Sequence, residues 1–291
     1  MCDDYTAEAE EEALRKRGLS RREFTALGAA AALAGCAGAN GTAADGGELV
    51  ERTVQVTTSD GVADAFFVHP AQGAHPGVIL WPDIAGLRDV FKIMARRLAS
   101  QGYAVLAVNQ YYRNAPAPVL GAFSEWRTPE GREKIAPMRE AITPSATTRD
   151  AKAFVAYLDQ QQSVDKARGI GSNGYCMGGP FTVRTAAAAP GRVRAAASFH
   201  GAGLVAEGDD SPHELLDDTQ AAYLFAIARN DDEKSPDHKT ILRQAADAAG
   251  VPAEIEVYPA DHGWCVADSP AYDATQAERA WSAMMRLFDG L

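Results

Sequence analysis

The sequence predicts one α/β domain with a doubly wound, mostly parallel sheet and helices on both faces. Three observations carry this. Short continuous apolar runs, such as 77–81 and 103–108, have the length and composition of strands buried on both sides. Between those two runs lies an amphipathic stretch, 90–101, with Phe91, Met94 and Leu98 on one face. The same strand–helix alternation then continues to the C-terminus without an internal repeat, which is the signature of βαβ units with right-handed crossovers.

Taken in order, 50–57 alternates apolar and polar residues, and Ser59-Asp60-Gly61 is a turn signal before 62–68. That pattern reads as an N-terminal hairpin. Strand 77–81 follows, then a loop over 82–88, helix 90–101, the stop at Gly102 and strand 103–108. Residues 114–147 are rich in proline and charge, with Phe123 and Trp126 embedded, and are expected to form a lid rather than core. A helix over 145–160 leads to the strand before Cys176 and the helix after it. Strands 194–199, 223–228 and 253–258 and helices 236–249 and 272–288 complete the domain, assigned to 49–291.

The whole-chain balance narrows the function. With 291 residues, 46% hydrophobic, and a formal charge of −11, the chain is large enough for a sizeable core and unsuited to nucleic acid or an anionic surface. Its four cysteines form no C-x-x-C pair and its six histidines no metal-ligand spacing, so neither metal nor cofactor is expected. The motif Gly169-Ile170-Gly171-Ser172-Asn173-Gly174 matches a dinucleotide fingerprint in letters only. Polar residues precede it, it runs into Cys176, and no acid follows near 190–198 to meet a ribose.

The first 35 residues read as an export address. Ser20-Arg21-Arg22-Glu23-Phe24 resembles a twin-arginine signal, followed by a short alanine-rich apolar stretch. Leu33-Ala34-Gly35-Cys36 resembles a bacterial lipobox. A lipid on Cys36 would be the expected membrane contact, and 36–48 a flexible tether. The expected location is therefore exported and membrane-anchored, or cytoplasmic if the signal is not processed.

The chemistry centres on Gly174-Tyr175-Cys176-Met177-Gly178-Gly179. This is the G-x-nucleophile-x-G pattern of a sharp strand-to-helix elbow, with cysteine as the nucleophile. Glycines on both sides let strand and helix close around the turn, and the Met177 amide at the helix start can receive an oxyanion. A nucleophile so placed needs a base and a group to orient the base, in the order nucleophile, acid, histidine. Strand 223–228 ends in Arg229-Asn230-Asp231-Asp232, and strand 253–258 in Pro259-Ala260-Asp261-His262. Loops at the C-terminal ends of parallel strands converge on one edge, which brings Cys176, Asp231 or Asp232, and His262 together.

With these residues in place, roughly 50–290 resembles the dienelactone hydrolase family of α/β-hydrolases. The resemblance rests on the cysteine elbow, Trp81-Pro82-Asp83-Ile84-Ala85-Gly86-Leu87, Asn109-Gln110-Tyr111-Tyr112-Arg113, Ser198-Phe199-His200-Gly201, Asp231 and His262. It implies that Cys176 is the nucleophile, His262 its base and Asp231 the orienter, and that the Ile84 amide joins Met177 in the oxyanion hole. It further implies substrate contacts at Asp83, Tyr112 and Arg113. Arg113 matches an arginine that holds the substrate carboxylate. Asp83 stands where the family has a thiol-gating glutamate and is one methylene shorter, so gating must differ or be absent. A second family arginine is replaced by Val266.

These readings lead to a hydrolase that cleaves a lactone or small carboxylic ester through a thioester on Cys176, with a small molecule as its partner. A general carboxylesterase or thioesterase is the enzyme alternative; a ligand-binding lipoprotein on a hydrolase scaffold is the non-enzyme one. Cys265, three residues after His262, could pair with Cys176 and silence it.

Overall fold

The computed structural model describes residues 47–291. The export signal expected at 1–35 and most of the tether expected at 36–48 lie outside the described residues. Among the described residues no helix is long and apolar enough to cross a membrane.

One eight-stranded sheet organises the chain. Strands β1 (Leu49–Thr58) and β2 (Gly61–Pro70) form the expected hairpin, antiparallel over its whole length from Leu49↔Pro70 to Thr58↔Gly61. β2 then pairs antiparallel with β4 (Ala104–Val108). From there β4, β3 (Gly77–Trp81), β5 (Ile170–Tyr175), β6 (Val193–Phe199), β7 (Ala222–Ala228) and β8 (Ala253–Tyr258) run parallel. The order β1-β2-β4-β3-β5-β6-β7-β8 places β3, β5 and β6 at the centre, where every residue of β3 and β5 is buried. The glycine-rich fingerprint lies inside β5 itself, so its glycines sit in a packed strand and not in a loop after one.

Helices cover both faces. α1 (Asp89–Ser100) buries Phe91, Ala95, Leu98 and Ala99, the i, i+4, i+7, i+8 stripe that a core-facing helix requires, with Asp89 and Arg97 complementing its dipole. It shares its face of the sheet with α8 (Ala274–Phe288), through Ala280, Trp281, Met284 and Phe288. The opposite face is covered by α4 (Pro144–Gln160), α5 (Gly179–Ala188) and α7 (His238–Ala249), through Phe154, Leu158, Phe181, Val183, Leu242 and Ala246.

The excursion between β4 and α4 is more regular than expected from its composition. It forms α2 (Phe123–Trp126) and α3 (Pro129–Glu140). Thr128 caps α3 by accepting from the Gly131 amide at 3.0 Å, and Pro129 opens it at a position where no N–H is needed. Val119, Leu120, Phe123, Trp126, Ile135 and Met138 form a separate apolar cluster with Ile84, Ala85 and Tyr111. This cap therefore rests directly on the loop after β3.

The elbow is where the sheet is packed most tightly. A Cβ on Gly174 would stand 2.1 Å from the Gly178 carbonyl oxygen. One on Gly178 would stand 2.5 Å from the carbonyl oxygens of both Trp81 and Pro82. Because the obstructing atoms are backbone, neither position has a rotamer escape. Gly174→Ala is expected to destabilise the domain by at least about 1–3 kcal/mol, the cost of overpacking a filled core, read from the urea midpoint against wild type.

Candidate active site

Cys176 follows β5 directly and is buried, with φ +53°, a left-handed conformation rare for a residue with a side chain. Such a conformation costs of order 1–3 kcal/mol and persists only where its surroundings over-determine it. Here both of its peptide groups are held by the turn after β6. The Cys176 N–H donates to His200 Nδ1 at 3.1 Å, and its carbonyl accepts from the Ala202 N–H at 3.2 Å.

His262 arrives from the end of β8 and Asp231 from the end of β7. α6 (Arg229–Lys234) is a short helix where the sequence reading had only a strand end, and it sets Asn230 and Asp231 side by side. Asn230 Oδ1 accepts from the His262 amide at 2.8 Å, while Asp231 Oδ2 bonds His262 Nδ1 at 2.7 Å. The neighbouring Asp232 is turned to Lys239 Nζ at 2.6 Å, so of the two acids it is Asp231 that meets the imidazole. With Nδ1 committed to the carboxylate, Nε2 is left buried without a protein partner at bonding geometry and is affected by the Cys176 sulfur. Burial alone would push the His262 pKa down; the Asp231 carboxylate and Cys176 outweigh it and raise it well above the ordinary value.

The loop after β3 supplies the opposite wall. Gln110 Nε2 donates to the Asp83 carbonyl at 2.7 Å and the Tyr111 hydroxyl to the Ile84 carbonyl at 2.7 Å. Tyr111 also reaches Met177 Sδ at 3.9 Å, so one side chain bridges the two segments expected to form the oxyanion hole. The Ile84 amide makes no hydrogen bond among the described residues. Met177 is the second residue of a single 3₁₀ turn (Cys176–Gly178), and first-turn amides have no intrahelical acceptor.

Asp83 does not face the thiol. Arg88 Nη1 and Nη2 hold its carboxylate at 2.7 and 2.9 Å, and Ala85 N–H donates to it at 2.9 Å. Arg88 is itself buried and grips Asp268 with Nε and Nη2, both at 2.7 Å. Burial opposes its charge, but the two carboxylates more than offset that and push its pKa further up. Asp268 Oδ2 in turn accepts from the Phe123 amide at 3.1 Å. One guanidinium thus ties the loop after β3 to the segment beyond His262 and, through Asp268, to the cap. Asp83, expected to contact substrate, is engaged in this internal pairing.

Arg113 and Tyr112 are likewise engaged within the fold. Arg113 bonds Asp60 through Nε and Nη2 (3.1 and 2.6 Å) and Asp150 through Nη1 and Nη2 (both 2.8 Å). All three of its nitrogens are engaged with carboxylates, and no side of the fork is turned to a substrate. The Tyr112 hydroxyl lies 2.7 Å from both Asp150 and Thr58. Together these side chains fasten the hairpin to α4. Their partners lie tens of residues away along the chain, where no local pattern reveals them. Val266 is buried, and Cys265 is a free thiol beside the cluster containing Trp264 and Tyr258, its pKa driven well up by burial. Cys176 is free as well, so the expected pairing of the two is not formed. Among the described residues no cluster of three His, Cys, Asp or Glu side chains could hold a metal ion.

Residues 63–291 match the model of the dienelactone hydrolase family. A Synechocystis sp. protein provisionally named carboxymethylenebutenolidase is 32% identical over 222 residues, covering 75% of this chain and 87% of its own. The carboxymethylenebutenolidase of Rhodococcus opacus is 26% identical over 246 residues, covering 81% and 90%. In fold, the chain resembles a provisionally named dienelactone hydrolase from Klebsiella pneumoniae, with TM-score 0.71 and 21% identity over 84% of this chain and all of that one.

The Arg113 network carries its own test. Arg113→Ala strands the buried Asp150 carboxylate, whose pKa burial already raises against the pull of Arg113. The variant is expected to lose about 3–5 kcal/mol of stability in urea unfolding. Its preference between carboxylated and neutral esters should stay that of wild type.

Proposed function

The chain belongs to the dienelactone hydrolase family and is a hydrolase acting on ester bonds; from that premise we propose that it cleaves a lactone or small carboxylic ester through a thioester on Cys176. The observation that carries the proposal is the chain of contacts from Asp231 Oδ2 to His262 Nδ1 at 2.7 Å, with Nε2 left to a buried cysteine on a left-handed elbow.

The steps follow from these positions. His262 Nε2 takes the thiol proton as Cys176 Sγ attacks the ester carbonyl. A free thiol is only a few per cent ionised at pH 7, so a base to take its proton matters. The carbonyl oxygen becomes an oxyanion, received by the Ile84 and Met177 amides, each worth roughly 3 kcal/mol of barrier by analogy with measured oxyanion donors. Collapse breaks the C–O bond, and His262 returns its proton to the departing alkoxide. Water then attacks the thioester with His262 as base, releasing the acid and restoring the thiol. Asp231 stabilises the imidazolium formed in each half and holds the ring in the tautomer that leaves Nε2 free to accept.

A second reading has a specific observation in its favour. The pairing of Arg113 with Asp60 and Asp150, and valine at 266, remove the two positions the family resemblance gives to carboxylate binding. This favours a general carboxylesterase of neutral esters. A panel of carboxylated lactones against neutral esters separates the two by the ratio of kcat/KM.

On p-nitrophenyl acetate, Cys176→Ala and His262→Ala are each expected to lower kcat by more than about 10⁴-fold, and Asp231→Asn by about 10⁴-fold. Hydrolysis at the wild-type rate in the cysteine or histidine variant would remove the mechanism. We also propose that Cys36 carries a lipid anchoring an exported protein. Radiolabelled palmitate should enter wild type and be absent from Cys36→Ala; equal labelling of both excludes Cys36 as the site.

A further inference from the structure

His200 has no role in the mechanism above, yet it is built into the nucleophile's backbone. It ends the motif Ser198-Phe199-His200, immediately after β6, and is wholly buried. Its own φ is +40°, so it and Cys176 are the two residues other than glycine among those described that occupy the left-handed region. Its amide is secured by the Ala226 carbonyl of β7 at 2.8 Å. Its ring lies 4.8 Å from the His262 ring and 5.2 Å, edge to face, from Trp264.

The contact with Cys176 is specific about hydrogen. A backbone N–H can only donate, so His200 Nδ1 must accept, and the ring must be neutral with its proton on Nε2. Without Nδ1 the Cys176 N–H would be a buried donor with no acceptor, at a residue already in a costly conformation. The groups facing this ring are His262, Trp264 and Tyr175. None is an anion that would favour a charged His200. Burial, reinforced by His262, keeps its pKa well below the ordinary value. A neutral ring is also what His262 requires of a neighbour, since a second imidazolium at 4.8 Å would oppose the charge His262 gains when it takes the thiol proton.

Resting on the thioester reading, we propose that His200 is a positioning residue: its Nδ1 holds the Cys176 amide, and with it the left-handed elbow, so that the sulfur stays aimed at His262 and the bound ester. The role is distinct from the acid–base work of His262, because His200 moves no proton and touches no reacting atom.

Leucine and asparagine have the same branching, but only asparagine places an acceptor, Oδ1, at the bond separation of Nδ1. His200→Leu is therefore expected to lower kcat by about 10²-fold, the scale of a misplaced reacting group, with KM within threefold of wild type. Alkylation of Cys176 by iodoacetamide should slow in parallel. His200→Asn should recover kcat to within about tenfold of wild type. Wild-type kcat in the folded leucine variant, or equal loss in both variants, overturns the proposal. If Cys176→Ala or His262→Ala hydrolyses at the wild-type rate, it is the thioester reading that has failed. Should the leucine variant not fold, ¹⁵N NMR of the wild-type imidazoles decides: an unprotonated, hydrogen-bonded Nδ1 from pH 6 to 9 supports the role, and a proton on Nδ1 of His200 ends it.

Discussion

A cysteine does not rest at φ +53° unless its surroundings leave it nowhere else to go, and much of this molecule's centre serves that constraint. β5 is flanked by β3 and β6, and glycine at 174 and 178 lets the chain turn back with backbone against backbone. The turn at 200–202 then takes up both peptide groups of Cys176. Strain falls on Cys176 and on the His200 that holds its amide, while ordinary packing of β3, β5 and β6 supplies the restraint.

Around that point the same device recurs: polar side chains from one loop hold the backbone or carboxylate of another. Gln110 and Tyr111 fix the carbonyls of Asp83 and Ile84, Asn230 fixes the His262 amide, and Arg88 joins Asp83 to Asp268. Gln110, Tyr111, Asp83 and Arg88 are buried, so losing a partner there costs more than making the contact contributed. The site is consequently fixed in geometry before any ester arrives, the condition under which backbone dipoles stabilise a developing charge best.

The strands and the long helices were legible from local pattern because each buries a face of regular period. Boundaries fell within a few residues for the amphipathic α1 and α8, and the 77–81 and 253–258 runs matched β3 and β8. The cap helices were missed because proline and charge masked them, although Thr128-Pro129 was a readable start signal. α6 is six polar residues with no apolar stripe, which leaves periodicity nothing to detect. Long-range ion pairing was invisible altogether. Nothing near Arg113 in sequence reveals that Asp60 and Asp150 will claim it, and nothing near Arg88 announces Asp268. The family resemblance named Cys176, His262 and the loops of Ile84 and Met177 from local motifs, whereas no motif announces that Asp83, Tyr112 and Arg113 are paired within the fold.

The cap is held by an apolar cluster that includes Ile84, by the Phe123 amide resting on Asp268, and near its start by the Ala117 amide on Asp64. It enters from β4 and leaves into α4, both part of the rigid sheet-and-helix body. The module that packs on Ile84, Ala85 and Tyr111 is thus inserted between two fixed ends and contributes none of the three side chains proposed to do the chemistry. Replacement roofs of other size or polarity could be transplanted at those ends, provided each keeps one main-chain donor for Asp268 and an oily underside for Ile84. Ligand choice would then be redesigned without disturbing the reacting sulfur.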